Sequence, residues 1–334
     1  MQGRLREARW SPSGIEVTES DPAPVRAGWV RLRVEACGLC GTDLHLYRGD
    51  VPRSPGAVPG HEIAGSLLDG PAGLEDTLYA VEPLLWCGHC DPCLGGRRHL
   101  CLEGRILGIG ARGGLADWVD VPEGMIHAVP SDVSARLASL SEPLAVGVRA
   151  VHRARVQAQS RVLVLGAGSI GLLAGLLARD VAREVAITAR YDHQLQAAKR
   201  LGLTPLAEGE LADWARDAEP DVVIETVGGA ADTLEAAVQS VRRAGRIVVV
   251  GVFSEPRPVD LLSVLLKEIE LVGSNTYGQD RRGPEFRAAV GRLERYRREL
   301  ASLQTHQFPL AAIGQAFECA ADKRSGAIKV TVEP

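Results

Sequence analysis

Arg161-Val-Leu-Val-Leu-Gly166-Ala-Gly168-Ser-Ile-Gly171 is a short apolar run that ends in a G-x-G-x-x-G turn and continues into the helix-like Leu172-Leu-Ala-Gly-Leu-Leu-Ala. A brief apolar run bounded by glycine suits a strand buried on both faces. Each glycine then has a task. The first makes the turn, the second admits a pyrophosphate, and the third lets helix and strand pack closely, with the phosphates over the helix N-terminus. A glycine turn without a ligand is the plainer reading, but a strand before it and a helix after it give the motif its meaning. Gly166, Gly168, Ser169, Ile170 and Gly171 are therefore candidate cofactor contacts.

Downstream the alternation repeats. Glu184-Val-Ala-Ile-Thr-Ala, Asp221-Val-Val-Ile-Glu-Thr, Arg246-Ile-Val-Val-Val-Gly and Glu268-Ile-Glu-Leu-Val-Gly read as strands. Leu195-Gln-Ala-Ala-Lys-Arg-Leu, ending at Gly202, and the stretch from Thr233 to Val241 read as helices. Strands alternating with helices make a parallel doubly wound sheet. Val250, Gly251 and Val252, at the end of one such strand, are further candidate cofactor contacts. Upstream, residues 1–145 read as short strands broken by Gly and Pro, with period-two alternation in Arg31-Leu-Arg-Val-Glu-Ala and Ala116-Asp-Trp-Val-Asp-Val. The tail from about 280 reads as one polar helix and a last strand, Ala327-Ile-Lys-Val-Thr-Val, able to return to the first domain. At 334 residues the chain suits two domains, a β-rich one and a doubly wound one, in the α/β class.

About twenty residues past the glycine turn an acidic residue normally bonds the adenosine ribose hydroxyls. Here the second strand ends in Thr188-Ala189-Arg190, so that place holds Ala189 followed by Arg190. Alanine removes the repulsion a carboxylate would offer a 2′-phosphate, and a guanidinium supplies a charged donor. NADP is favoured over NAD. The other reading is an Arg190 that is merely exposed, with Asp192 taking the ribose.

Cys87, Cys90, Cys93 and Cys101 are spaced C-x2-C-x2-C-x7-C, with Gly88, Pro92, Gly95 and Gly96 between them. Four thiolates that close together suit a closed tetrahedral site, and zinc is the metal that fits four sulfurs without redox chemistry. Such a site has no open position and is structural. Two disulfides, or buried free thiols, are the alternatives. Disulfides want an oxidising compartment, whereas the opening Met1-Gln-Gly-Arg-Leu-Arg carries no apolar signal segment. The expectation is a soluble cytoplasmic protein. Net charge is −4 with no dominant basic block, which speaks against nucleic acid as a partner. The arginines from Arg281-Arg282 to Arg298 alternate with Glu and apolar residues at helical spacing and read as a solvated helix face. No run of about 18 apolar residues exists to span a membrane.

A second cluster of metal-ligating residue types precedes the lobe: Cys37-Gly-Leu-Cys40-Gly-Thr42-Asp43-Leu-His45, then Gly60-His61-Glu62. Singly, such residues are more often core than ligands. Together they offer a thiolate, an imidazole and carboxylates, enough for a zinc site that keeps a position open.

With these motifs in order (C-G-x-C-G-T-D-x-H, G-H-E, the four-cysteine lobe, S-E-P-L, G-x-G-x-x-G and V-G-S-N-T-Y-G), nearly the whole chain resembles the zinc-dependent medium-chain alcohol and polyol dehydrogenases, in their sorbitol and threonine dehydrogenase branch. The resemblance implies a GroES-like catalytic domain over 1–146 and 280–334, with a zinc lobe at about 84–104, and a Rossmann domain over 147–279. It implies Cys40 and His61 as catalytic zinc ligands, with Glu62 or Glu142 (of S-E-P) completing the set, and Cys37 as a bystander. Asp43 would orient His61, although a capping role is its plainer reading. Two zinc ions per chain follow.

The implied chemistry is oxidation of an alcohol. Zinc, as a Lewis acid, lowers the pKa of an alcohol, Thr42 accepts its proton, and His45 ends the relay to solvent. If His45 is only a surface histidine, the relay runs through cofactor ribose and water. Ser274 and Asn275 would meet the carboxamide and Lys329 the pyrophosphate. Trp86, just before Cys87, either shapes a pocket or packs, and Gly110-Ala-Arg112-Gly-Gly lies where relatives contact substrate or cofactor. The partner is a small alcohol or ketone. Homodimers or homotetramers are expected, with the Glu268-Ile-Glu-Leu-Val strand able to pair across an interface. The competing readings are a zinc-ribbon binding protein on a Rossmann-like scaffold, and a family member that kept the fold without turnover.

Overall fold

A computed structural model describes residues 4–74, 77–280 and 283–334; Arg281 and Arg282 of the arginine-rich stretch lie outside them. The chain divides into two compact units. Residues up to Glu142 join Gly278–Pro334 in one, and Pro143–Tyr277 form the other.

In the second unit six strands lie parallel. Their order across the sheet is Thr204–Leu206, Glu184–Thr188, Arg161–Leu165, Val222–Glu225, Arg246–Val249 and Glu270–Gly273. Numbered along the chain that order is 3-2-1-4-5-6, and it reverses beside Arg161–Leu165, where doubly wound sheets bind ligands. The helix Ser169–Arg179 follows at once. Its Leu172, Leu173, Ala174 and Leu176 have no exposed surface, so a nearly all-apolar helix is what this place requires. One strand starts later than its hydrophobicity suggests. Glu268 takes φ 51° and closes the helix Leu261–Lys267, so the last strand begins at Glu270.

In the first unit a seven-stranded sheet is built on Trp29–Gly38, which pairs antiparallel with Glu62–Asp69, with Trp118–Pro122 and with the chain's last strand, Lys329–Glu333. Gly38 sits opposite Glu62 on one side and Thr331 on the other. The ends of three strands from distant parts of the sequence therefore converge at one point. The tail holds more structure than its sequence suggests. Among the described residues it carries the helices Glu285–Val290, Arg297–Leu303 and Ile313–Ala321 and the strand Gln304–Pro309, where one polar helix and one strand were expected. The last of those helices enters the core: the Phe317 ring lies 5.3 Å from that of Trp10 and 5.1 Å from that of Tyr47. Tyr47 belongs to the helix Gly41–Arg48, so the tail buttresses the element that carries Thr42, Asp43 and His45.

Candidate active site

Cys40 follows the strand end at Gly38 and is the N-cap of Gly41–Arg48. Asp43 Oδ2 accepts the Cys40 backbone N–H at 2.9 Å, which closes the first turn and fixes where the thiol sits. His61 and Glu62 enter at the start of the neighbouring strand. Ligand atoms of Cys40, His61 and Glu62 all lie within 4.8 Å of one another. His61 is 4 % exposed and Glu62 fully buried.

The electrostatics of this cluster are those of several buried acidic groups and a thiol sharing one small space. Asp43 Oδ1 and His61 Nδ1 are both buried without a hydrogen-bond partner and face each other at 3.9 Å. Burial opposes a charge on His61, but Asp43 and then Cys40 outweigh it and hold the imidazole well above its ordinary range. Burial raises the Asp43 carboxyl, with His61 pulling it back. Glu142, in the first turn of Ser141–Ala154, is 7 % exposed. Burial pushes its carboxyl up to about 7, with His61 opposing and Glu62 adding to the rise. A thiol, an imidazole and buried carboxylates crowded together favour a divalent cation, and this donor set suits zinc. Asp43 fills its capping role and also turns its free oxygen toward His61. Thr42 Oγ1 lies 3.9 Å from Cys40 Sγ, and His45 Nδ1 lies 2.8 Å from Asp50.

Lys329 is the residue expected to meet the pyrophosphate. It is 2 % exposed and sits in the first unit, where its ammonium donates to both oxygens of Glu62 at 2.6 and 2.8 Å and to the Leu39 carbonyl at 3.0 Å. Three acceptors engage its three N–H groups. Arg112 is likewise engaged, donating to Glu7 at 2.6 and 2.9 Å, and Trp86 packs under the Arg98 guanidinium at 4.6 Å.

The four lobe cysteines bring their sulfurs within 4.8 Å of one another, and all seven cysteines are unpaired. Cys90 and Cys101 Sγ are 3.9 Å apart. A disulfide needs roughly 2.05 Å. Sulfurs held tetrahedrally about 2.3 Å from zinc lie about 3.8 Å from each other. Backbone N–H groups of Leu102 and Cys93 draw the Cys90 thiol down to about 6, while burial and the neighbouring thiols hold Cys93 up at about 12. Four thiolates need a cation to coexist here.

The cofactor candidates of the second unit collect at the C-terminal ends of its strands. Gly166 takes φ 99°, and a Cβ on Gly171 would lie 1.8 Å from the Gly166 carbonyl, so neither tolerates a side chain. A Cβ on Gly168 would meet nothing within 4 Å, which leaves open space before the helix N-terminus. Ala189 is buried, Arg190 is exposed and Asp192 begins the next helix. Val250 and Gly251 N–H donate to the Glu225 carbonyl at 2.9 and 3.1 Å, and Ser274 N–H to Val249 at 2.9 Å.

One residue of this edge escaped sequence reading. Glu225, fully buried, accepts Val227 N–H, Gly228 N–H and Thr233 Oγ1 on Oε1, at 2.8 to 2.9 Å, while Oε2 has no partner. An acid ending an otherwise apolar strand was the available signal.

The first unit matches the alcohol dehydrogenase GroES-like domain over residues 26–131, and the chain matches the zinc-binding dehydrogenase family over 169–295. A 2-dehydro-3-deoxy-L-galactonate 5-dehydrogenase from Pseudoalteromonas atlantica is 33 % identical, covering 91 % of each chain. Two solved structures superpose with TM-score 0.89: a zinc-binding dehydrogenase from Sinorhizobium meliloti 1021 bound to NADP, at 28 % identity over 100 % of both chains, and an alcohol dehydrogenase from E. coli CFT073 complexed with NADH, at 26 % over 99 % of both.

Proposed function

The chain belongs to the zinc-dependent medium-chain alcohol and polyol dehydrogenases, and from that premise we propose that it transfers a hydride between NADP(H) and a secondary alcohol or polyol. The observation that carries this reading is the convergence of Cys40, His61 and Glu62 within 4.8 Å. In it, Cys40, His61 and one of Glu62 or Glu142 hold the catalytic zinc, and the four-cysteine lobe holds a second. Bound there, zinc supplies Lewis acidity that lowers the pKa of an alcohol, and the nicotinamide accepts the hydride.

The protein's own residues then do the rest. Thr42 takes the alcohol proton and His45, one helical turn on, passes it outward. Asp43 holds His61, and the turn from Gly166 to Gly171 seats the pyrophosphate. The absence of a carboxylate at Ala189 and the exposed Arg190 support NADP. The NADP-bound relative is consistent with it, while the other relative binds NADH. A zinc-ribbon binding role is set aside, because the matched domains are those of an enzyme family.

An exposed apolar face supports assembly. Leu261, Leu262, Leu265 and Leu266 are 62 to 71 % exposed, and the adjoining strand Glu270–Gly273 is the sheet's outer one. A second copy of this chain pairing along that strand, in a homodimer or homotetramer, would cover both. No helix among the described residues is long and apolar enough to cross a membrane. Seven unpaired thiols support a cytoplasmic setting.

The test is cofactor reduction by zinc-loaded protein across polyols, secondary alcohols, amino alcohols and sugar acids, with NADP and NAD in parallel and metal content measured beside it. Turnover with NADP and two zinc ions per chain is expected. Turnover with NAD alone would overturn the cofactor assignment. Silence with both, on fully zinc-loaded protein, would favour a member without turnover.

A further inference from the structure

The helix Gly41–Arg48 does not simply stop. Gly49 takes φ 81°, with open space where a Cβ would be, and its N–H donates to Leu46 at 3.3 Å. The next N–H, that of Asp50, donates to the His45 carbonyl at 3.0 Å. These two bonds form the left-handed helix ending in which the second residue past the cap turns back to the last turn. Asp50 is thereby held beside His45 by the backbone alone. Its side chain completes the pairing, with Oδ2 2.8 Å from His45 Nδ1. Neither partner is sealed away: the side chains are 38 % and 23 % exposed.

This pairing decides the chemistry of the ring. A carboxylate can only accept, so the proton between the two sits on Nδ1 and the neutral imidazole keeps its lone pair on Nε2. The cations at this helix end are directed elsewhere. Arg48 donates to the Ala321 carbonyl at 2.9 Å, with Lys323 beside it electrostatically, and Arg53 donates to the Leu46 and Tyr47 carbonyls at 3.3 and 3.0 Å. The Asp50 carboxylate is the charge that faces the ring at bonding distance.

We propose that Asp50 is a positioning residue for His45: it fixes the Nδ1–H tautomer, so that Nε2 receives the proton released in alcohol oxidation. The inference rests on the relay reading of His45. In the forward step the Thr42 hydroxyl accepts the alcohol proton and gives up its own. A bond forms between that proton and Nε2, and the ring becomes an imidazolium held by Nδ1–H to Asp50. Water then takes the proton from Nε2, and Asp50 stays ionised throughout. The hydride leaves separately to the nicotinamide, so charge and atoms balance.

The test needs no substrate for its first part. Zinc-loaded protein labelled with 15N in its eight histidines is read by two-bond proton–nitrogen correlation, with His45→Gln assigning the signal. Parent protein should show His45 as the Nδ1–H tautomer, Asp50→Ala should shift it toward Nε2–H, and Asp50→Glu should restore it. An Nε2–H ring in the parent, or no change in Asp50→Ala, overturns the inference.

The second part measures kcat against pH with the fastest alcohol of the panel above. Asp50→Ala should lower kcat about tenfold near neutral pH and leave KM unchanged, with Asp50→Glu recovering most of it. In the His45→Gln background the same change should have no further effect. A slow His45→Gln beside a normal Asp50→Ala overturns the role of Asp50 and leaves the relay standing. A His45→Gln variant at the parent rate overturns both.

Discussion

The Lys329 ammonium and the Glu62 carboxylate form a two-point ion pair, 2.6 and 2.8 Å long, with both side chains almost wholly buried. The pairing follows from the register that sets Gly38 opposite both Glu62 and Thr331. Burial works against the Lys329 charge, but Glu62 and Cys40 outweigh it and raise its pKa. Its charge is therefore a fixed part of the site.

Removing that charge should be costly. Lys329→Met leaves a buried carboxylate without its partner, and breaking such a pair costs roughly 3–5 kcal/mol. Urea unfolding should show that loss, and a Lys329→Met/Glu62→Met double variant should recover part of it. NADP affinity in the surviving folded protein should change little. A variant of parental stability that binds NADP tenfold more weakly would favour the pyrophosphate role instead.

The two zinc sites should separate by mutation. Cys40→Ser is expected to abolish turnover and keep the melting temperature near that of the parent, because the cap of its helix comes from Asp43 and survives. Cys90→Ser should remove one zinc per chain and lower the melting temperature, since a closed thiolate site contributes folding free energy. Equal losses of activity and stability in the two variants would contradict this division. Metal analysis and a thermal melt on each variant decide it.

Arg190→Ala should weaken NADP more than NAD. A charge-assisted hydrogen bond is worth about 1.5–3 kcal/mol, so the ratio of the two affinities should move by roughly ten- to a hundredfold. An unchanged ratio would mean that the exposed guanidinium is only a surface charge. Fluorescence titration with each reduced cofactor is sufficient, and no substrate is needed.

These contrasts show which features the sequence discloses. The glycine turn and the thiolate lobe are local: spacing along a few residues marks them, and the parallel strands follow from short apolar runs, whereas the pairing of Cys40 with His61 was implied by the family resemblance. Lys329 reaches Glu62 only because the last strand pairs with Trp29–Gly38, a partnership across nearly the whole chain that no local pattern specifies. Glu225 was hidden for a different reason. Its strand reads as core, and only the tertiary arrangement shows that its carboxylate ties down Val227 and Gly228. The return of Asp50 to His45 past Gly49 was not read from the sequence, because it depends on backbone geometry at the helix end.

Glu7 supplies a pH dependence unrelated to zinc. It is fully buried in the strand Leu5–Ser11, where it accepts hydrogen bonds from Arg112, Arg9 and Ser20. Burial pushes its carboxyl up, but Arg112 first, and then Ser20 and Arg9, outweigh that and leave its pKa below the ordinary value. A carboxyl lowered on folding contributes stability above its unfolded pKa, near 4.3, and loses it as pH falls through the folded value. Parent protein should therefore exceed Glu7→Gln by about 1–3 kcal/mol at pH 7, and the gap should close in acid. Urea unfolding of both proteins between pH 7 and pH 3 measures it. A gap that stays constant across that range would mean the Glu7 contribution is packing rather than charge.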